Sequence, residues 1–279
     1  MAWCNTITRD ALQHFVWGIG DDNPYWPASG TAPGCFLYAV NETTVAPGLD
    51  DHRRIYRSVE WTWFETLPVG TDISVEVEVV AQAGDDQRGR TEFRSADGTR
   101  LAAAEVRCGR TTEPATAIDA RPEVRYSGTE IETIEQAILG ESRQGPMPLG
   151  AADVAVGDEL GTITKGPLSI MDVVAWCSAT QGVAVEADCY SEGGLHAETA
   201  TGPQLVSWIA QLATNWMGDA GFLQRLRVDI NSNPPLGSTT TISGRVSSCG
   251  AGTAELALVA TDQSNVESAV ATATVLLPQ

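Results

Sequence analysis

The sequence has little positive charge. Its 279 residues include 17 lysines and arginines against 36 aspartates and glutamates, so the formal net charge is −19, and Lys165 is the only lysine. Proteins hold a nucleic-acid backbone mainly with clustered lysine and arginine side chains. The composition therefore argues against a nucleic-acid partner. The composition does not exclude a small anionic ligand, because Arg53, Arg54 and Arg57 lie close together in the sequence. A solvated loop surface is the simpler interpretation of that cluster.

Long hydrophobic segments are also missing. The first residues, MAWCNTITRD, lack the basic segment and the run of about 7 to 15 apolar residues that mark a signal peptide. No window approaches the roughly 18 uncharged apolar residues that a membrane span needs. We therefore expect a soluble, cytoplasmic protein that has no membrane partner.

Spacings typical of metal sites are absent as well. A chain of this length can bury a core without disulfides, and its cysteines do not occur in CxxC pairs. Free thiols are expected and no metal is implied. The six cysteines are Cys4, Cys35, Cys108, Cys177, Cys189 and Cys249.

The sequence does contain an internal repeat. The segment ITRDALQHFVWGIGD has apolar residues at helical spacing, with Thr8 as its N-cap, and it recurs as LSIMDVVAWCSATQGV, where Asp10 matches Asp172. Further on, LPVGTDISVEVEVV recurs as PPLGSTTTISGRVSS, where Gly70 matches Gly237. The two matches have nearly the same offset along the chain. Two related halves are expected.

Each half carries one central helix candidate followed by alternating strand segments. The candidates are APGCFLYAVNETT, from near Pro33, and TGPQLVSWIAQLATNWMG, from near Gly202, and the second is apolar on most sides and so must be buried. We predict an α+β fold with two antiparallel sheets, each wrapped around its central helix. The predicted domains are residues 1–112 and 153–279, joined by a linker with a short helix at 113–152.

The stretch GDDNPYWP, Gly20 to Pro27, follows the first helix. Asp21 offers a carboxylate, and the rings of Tyr25 and Trp26 are suited to the apolar wall of a pocket. Asp and Asn before Pro are also ordinary turn formers, so a purely structural loop is the alternative interpretation of this stretch.

The order of these parts resembles the MaoC-like, or hydratase-2-type, double-hotdog family of acyl-thioester proteins, in the branch similar to fungal fatty-acid-synthase dehydratase domains. The resemblance is carried by FVWGIGDDNPYW and APGCFLYAV, then by VAVGDELGTITKGPLSIMDVVAW and GPQLVSWIAQLATNWMGDAGFL. The family's hydratases have a G-D-x-N-P-x-H motif whose Asp and His handle water and proton. Gly20, Asp21, Asn23 and Pro24 match this motif, but its histidine position is Trp26.

The resemblance implies the remaining site residues. Hotdog enzymes stabilise an oxyanion with backbone N–H groups at the start of the central helix, which here implies Gly34 and Cys35, or Gly202 and Gln204. Asp21 is the expected base, and Asn23 supports the same water or the loop. Substrate contacts are expected from Tyr25, Trp26, Phe36, Gly202, Gln204 and His196.

Another acid or base can replace the missing histidine only if it reaches the pocket. His14 lies beside the apolar stripe of the first helix, His52 lies in a polar loop, and the second half has Val183 where the first has Asp21. His196 precedes the second central helix and is the remaining histidine candidate. His196 and Asp219 are the next candidates if Asp21 is only a turn residue.

Three functions remain open. The first is a thioesterase that frees a bulky acid from coenzyme A, similar to atypical hotdog thioesterases of natural-product pathways. The second is an enoyl-CoA hydratase or 3-hydroxyacyl dehydratase, and the third is a non-catalytic hotdog subunit. Hydrolysis is favoured because it needs one positioned water and no second acid–base residue. We expect a thioester of coenzyme A or acyl carrier protein as the partner, no cofactor beyond that coenzyme A, and leave a homodimer open.

Overall fold

The computed structural model describes residues 5–41, 53–111, 124–180, 190–191, 194–195 and 199–278. His52, Val183 and His196 lie outside the described residues. No helix in these ranges is both long and apolar enough to cross a membrane.

All but one of the helices in the described ranges fall where the sequence pattern predicts them, and the exception is Tyr25–Ser29, which begins in the stretch interpreted as a loop. The helices are α1 (Arg9–Gly18), α2 (Tyr25–Ser29), α3 (Leu37–Asn41), α4 (Gly128–Leu139), α5 (Ile170–Thr180) and α6 (Gly202–Met217). Short 3-10 turns cover Gly34–Phe36 and Ala151–Asp153. The Thr8 side chain accepts a hydrogen bond from Ala11 N at the start of α1, so the predicted N-cap is confirmed.

The strands follow the predicted alternating segments. They are β1 (Thr31–Ala32), β2 (Arg53–Trp63), β3 (Leu67–Pro68), β4 (Ile73–Ala83), β5 (Asp86–Ser95), β6 (Arg100–Thr111), β7 (Glu159–Lys165), β8 (Tyr190–Ser191), β9 (Gly194–Leu195), β10 (Phe222–Ile230), β11 (Thr240–Gly250), β12 (Thr253–Asp262) and β13 (Glu267–Leu276). The sequence pattern did not predict β7 or the two-residue strands.

One antiparallel sheet contains nine of these strands, in the order β4-β5-β6-β2-β10-β13-β12-β11-β7. The two sheets expected from the sequence are therefore the two ends of a single sheet, joined where β2 pairs with β10. In that pair Arg227 lies opposite Glu60, and these two residues are separated by the same offset as Gly70 and Gly237. Each of them thus pairs with its own repeat copy, which places the pseudo-twofold axis of the repeat between them.

The repeat extends through the strands. The strands β4, β5 and β6 begin at Ile73, Asp86 and Arg100, and the same offset leads to the first residues of β11, β12 and β13 respectively. The outer edges of the sheet differ. At one edge, the whole of β7 pairs with the first half of β11. At the other edge, Asn5 and Ile7 make backbone hydrogen bonds with residues 70–73, and Thr6 forms an isolated bridge with Asp72 just before β4. The second half therefore has one more full strand than the first half.

The two central helices differ in length. In the second half, α6 spans 16 residues, and almost all of its side chains are buried beneath the sheet. In the first half, the counterpart is the 3-10 turn at Gly34–Phe36 continued by α3. Both helices begin near the predicted residues. The domain boundaries at 112 and 153 stay a prediction, although β6 ends and β7 begins on either side of that segment.

The repeated helices α1 and α5 pack against each other. Phe15 on α1 lies 5.8 Å from the ring of Trp176 on α5, measured between ring centroids. A Cβ atom on Gly18 would lie 2.9 Å from the Cβ of Ala179, so the small residue permits the close approach of the two helices. This packing fixes the end of α1, from which the GDDNPYW loop begins.

Candidate active site

The candidate site begins where α1 ends. Gly20 adopts a left-handed backbone conformation with φ of +62°, which a glycine reaches without steric cost. The next amide, Asp21 N, then donates to Val16 O at 2.8 Å. This turn directs the chain into the loop that carries Asp21 and Asn23.

Asp21 is buried, with 3% of its surface exposed, and both of its carboxylate oxygens accept hydrogen bonds. Trp26 Nε1 donates to Oδ2 at 2.7 Å, and Asn23 N donates to Oδ1 at 3.0 Å. Burial raises the pKa of Asp21, while these two hydrogen bonds and the positive charges of Lys165 and Arg143 act in the opposite direction. The loop therefore holds a carboxyl group that takes up a proton more readily than an exposed aspartate.

Trp26 occupies the histidine position of the motif and makes a direct contact with the motif aspartate. An indole N–H donates a hydrogen bond but has no acceptor nitrogen, so it cannot take up or deliver a proton as an imidazole does. The ring of Tyr25 packs edge-to-face on Trp26, with 5.1 Å between the ring centroids. The pair of Asp21 and Trp26 thus supplies one proton acceptor where the motif would supply two.

A cavity of about 60 Å³ lies beside this loop. Its walls come from the loop, from the start of the first central helix, and from the C-terminal end of α6 with the segment after it. Two carboxylates, those of Glu65 and Asp219, contribute to the lining. The other lining residues used below are Asn23, Tyr25, Trp26, Gly34, Thr214 and Met217.

Gly34 lies at the point where the first central helix meets the cavity. A Cβ atom at this position would come within 2.6 Å of the Trp63 indole, so only glycine fits without moving that ring. The first N–H groups of a helix have no acceptor within the helix. Gly34 and Cys35 therefore carry the backbone donors that the resemblance implies, and Gly34 borders the cavity.

The side chains of Cys35 and Phe36 do not line this cavity. Both are buried, and Phe36 packs on Phe15 with 5.5 Å between ring centroids. Burial raises the pKa of the Cys35 thiol to about 12, and a hydrogen bond with Ser207 only partly offsets it. Cys35 is consequently a neutral thiol near pH 7, so its backbone N–H remains the group of interest. Phe36 packs in the core away from the lining of this cavity, and its role as a substrate contact stays a prediction.

Gly202 and Gln204 lie at the opposite end of α6 from the cavity. With a rise of 1.5 Å per residue, Gly202 is about 18 Å from Thr214 along the helix axis. The Gln204 Nε2 group donates to Asp172 O at 3.4 Å, and Gly202 packs against Tyr56. The structure therefore does not bring these two predicted residues together with Asp21.

The remaining titratable candidates divide between the cavity and the surface. Asp219 lines the cavity, so it remains the next candidate for the base if Asp21 is only a turn residue. His14 lies on the surface of α1, where its Nδ1 is 2.9 Å from Asp10 O. His14 is therefore not a partner of Asp21.

Lys165 is close to the loop, although sequence reasoning did not select it. It is the last residue of β7, and its Nζ donates to Gly20 O at 2.6 Å. The one feature of the sequence that could have pointed to Lys165 is that the chain has no other lysine. Glu65 and Thr214 gave no such signal, because only the fold brings them to the cavity.

A buried polar cluster lies near Lys165. Glu141 follows α4, and its Oε1 accepts hydrogen bonds from Gln211 Nε2 at 3.1 Å and Asn215 Nδ2 at 2.6 Å on α6. Arg143 Nη2 donates to the same oxygen at 3.2 Å. The cluster ties the linker to the central helix of the second half.

Neither a protein-family model nor a curated protein sequence matches this chain. Solved structures do match it. A MaoC-like dehydratase is 15% identical, with a TM-score of 0.71 over 98% of this chain and 95% of its own. A MaoC domain protein dehydratase from Chloroflexus aurantiacus J-10-fl is 12% identical, with a TM-score of 0.62 over 98% of this chain and 92% of its own. A structure described as an oleoyl thioesterase, from Lactobacillus plantarum, is 10% identical, with a TM-score of 0.54 over 98% and 94%.

These likenesses extend over nearly the whole chain, and they confirm the α+β double-hotdog fold. Because dehydratases and a thioesterase share the fold, the fold alone does not select a reaction. The reaction has to be argued from the residues around the cavity.

Proposed function

We propose that the protein is a thioesterase that hydrolyses an acyl-CoA to a free carboxylic acid and coenzyme A. The observation that carries this proposal is the hydrogen bond from Trp26 Nε1 to Asp21 Oδ2. A hydratase of the resembled type uses an Asp and a His, whereas this pair has a single proton acceptor. Hydrolysis of a thioester needs one base and a leaving group that departs as a thiolate.

In the proposed reaction, Asp21 acts as a general base. The oxygen of a water molecule attacks the carbonyl carbon of the thioester, and the proton of that water passes to the Asp21 carboxylate. The carbon–sulfur bond then breaks, and the sulfur takes its electron pair and receives the proton from Asp21. Each carboxylate oxygen has two lone-pair directions, so Asp21 keeps lone pairs for this water beside those that accept from Trp26 and Asn23. Asn23 and Trp26 line the cavity and Asp21 itself does not, so the proposed water lies between these side chains.

The oxyanion formed in this attack is assigned to the backbone N–H groups of Gly34 and Cys35. Donors placed where negative charge develops typically contribute about 10²- to 10³-fold to kcat. Asn23 lines the same cavity, and its Oδ1 already accepts from Tyr25 N at 3.0 Å. Its amide nitrogen is then the group that can donate to the water or to the substrate carbonyl.

The proposed acyl group is bulky, as in the natural-product thioesterases that the sequence resembles. A cavity of about 60 Å³ holds only a few atoms, so a bulky acyl group requires its wall to move. Tyr25 and Trp26 are the large side chains of the wall closest to Asp21. We propose that these two side chains select the acyl group. The proposed carrier of the acyl group is coenzyme A, and acyl carrier protein is the alternative.

A panel of saturated acyl-CoA and enoyl-CoA esters tests the proposal. Free thiol is measured with a chromogenic thiol reagent, and the enoyl group is followed by its absorbance in the same samples. We expect thiol release in proportion to enzyme concentration, above that of a protein-only blank that corrects for the cysteines. Loss of enoyl absorbance without thiol release would instead assign a hydratase. Binding of an ester with neither signal would assign a non-catalytic subunit.

A further inference from the structure

Lys165 connects the second half of the chain to the loop that holds Asp21. It is half-buried at the end of β7, and its Nζ donates to Gly20 O at 2.6 Å. Gly20 immediately precedes Asp21, so the lysine contacts the peptide that leads into the carboxylate residue. The contact spans 145 positions in sequence and does not arise from local chain geometry.

Several charged groups face Lys165 and Asp21 from the elements packed around them. Burial lowers the pKa of Lys165, whereas the carboxylates of Glu141, Asp21 and Asp22 act in the opposite direction and Arg143 acts with burial. Three carboxylates thus face two cations, and an excess of negative charge favours the ammonium form of the lysine. Burial is the largest influence and lowers its pKa overall, and the ammonium form is the form of Lys165 that the proposal below assigns.

Asp21 needs such a cation. Burial favours its neutral form, and a general base must be ionised to accept a proton. In the resembled motif, the aspartate is next to an imidazole that can become positively charged. Trp26 remains neutral at every relevant pH, so it supplies a hydrogen bond to Asp21 without the charge.

We propose that Lys165 is a positioning residue whose ammonium group holds the Gly20 carbonyl and keeps Asp21 ionised, in place of the charge that the absent histidine would carry. Its effect on catalysis depends on the proposed thioesterase function. Its effect on the ionisation of Asp21 does not, so the two are measured separately.

Three substitutions separate the charge of Lys165 from its hydrogen bond. Lys165→Met removes both and leaves an unbranched apolar side chain one bond shorter. Lys165→Gln removes the charge but keeps an N–H donor on a side chain one bond shorter. Lys165→Arg keeps the charge with a different shape. A role of the charge predicts that Met and Gln behave alike and that Arg resembles the parent.

The indole N–H of Trp26 reports directly on Asp21, because it donates to the carboxylate at 2.7 Å. Its proton–nitrogen NMR resonance is followed against pH in the full-length protein. Trp26→Phe assigns the resonance by its disappearance, and Asp21→Asn should abolish its titration. Removal of one neighbouring cation raises the pKa of an aspartate by about 1 unit or more. We expect the midpoint to rise by that amount in Lys165→Met and Lys165→Gln, and to stay within a few tenths of a unit of the parent in Lys165→Arg.

A parent midpoint in Lys165→Gln would overturn the proposal, because the lysine would then act only through its hydrogen bond. If Lys165→Met does not fold, Lys165→Gln and Lys165→Arg still decide the question. As the functional readout, the acid limb of kcat/KM for thiol release should move to higher pH together with the NMR midpoint. A shifted midpoint in a protein without thioesterase activity would remove the proposed function and leave the role of Lys165 in place.

Discussion

At the scale of single residues, Trp26 changes the chemistry of the motif more than its shape. The indole still donates a hydrogen bond to Asp21, so the loop keeps the aspartate buried and oriented. It has no second nitrogen through which a proton could pass. The loop therefore keeps the buried, hydrogen-bonded aspartate of the resembled motif and has one acid–base side chain in place of two.

Asp21→Asn should reduce kcat for thiol release by about 10²-fold or more, the scale expected for the loss of one general base. In the parent, both Asp21 oxygens accept hydrogen bonds. In the variant, the amide nitrogen of the new asparagine must face Trp26 Nε1 or Asn23 N, and because both of these are donors, one hydrogen bond is lost. Thermal unfolding of the variant is therefore measured beside its kinetics. A folded variant that hydrolyses acyl-CoA at the parent rate would reduce Asp21 to a turn residue and make Asp219 the next candidate.

Two substitutions of Trp26 separate its bulk from its hydrogen bond. Trp26→Ala enlarges the cavity, and we expect its kcat/KM to shift towards larger acyl groups by about tenfold relative to acetyl-CoA, through KM, since packing contributes mainly uniform binding. Trp26→Phe keeps most of the bulk and removes the N–H group that lowers the pKa of Asp21. It should retain the parent preference while its acid limb moves to higher pH. Equal preferences in both variants would mean that the wall does not select the acyl group.

Only part of this site was predictable from the sequence. The motif placed Asp21 and Asn23 in one loop, because an Asx-rich turn before a proline depends on local geometry. The contacts of Lys165 with Gly20 and of Glu141 with Gln211 join residues far apart in the chain. No local pattern predicts such contacts. For the same reason the sequence could not show that Phe36, Gly202 and Gln204 lie away from the cavity.

At the scale of elements, the start of the first central helix depends on a close approach between backbone and indole. Gly34→Ala would place a Cβ 2.6 Å from Trp63, whose buried ring is stacked on Trp61 with 5.5 Å between the ring centroids. The Trp63 ring or the helix start must then shift, and both border the cavity. We expect at least a tenfold loss of kcat together with a lower Tm, measured by thiol release and thermal unfolding.

Gly128→Ala is the matched control for this prediction. Gly128 is the first residue of α4, and a Cβ there would meet no atom within 4 Å. Alanine is favoured over glycine in helices by about 1 kcal/mol, so this variant should keep the parent activity and a Tm no lower than the parent. Parent activity in Gly34→Ala would remove the backbone of Gly34 from the oxyanion site.

The elements themselves were largely predictable. Alternating apolar residues indicated the eight long strands outside β7, and the match of Gly70 with Gly237 gave the offset that relates three pairs of them. The strand β7, with sequence ELGTITK, was missed because Gly161 interrupts its alternation and its pairing with β11 is long-range. Its position matters for the site, since it ends at Lys165.

At the scale of the whole molecule, the repeat predicts two similar halves but not how they join. The joining pair, β2 with β10, includes Val59 opposite Val228 and Trp61 opposite Leu226, all completely or almost completely buried. The cavity is also lined from both halves, by Asn23 and Gly34 of the first and by Thr214 and Asp219 of the second. The continuous sheet therefore holds the two sides of the candidate site in one fixed arrangement.

Val228→Ala tests whether the two halves unfold as one unit. Val228 is completely buried on β10, and loss of its two methyl groups should lower the free energy of unfolding by about 2 kcal/mol. If the sheet is one cooperative unit, hydrogen exchange should accelerate in β5 and β6 as well as in β12 and β13. Val246→Ala, at a buried position on β11 away from the joining pair, is the control of equal size and should cost a similar free energy. Should exchange in β5 and β6 stay at the parent rate in both variants, the halves unfold independently, and the cavity between them depends on docking of the halves instead of on a shared core.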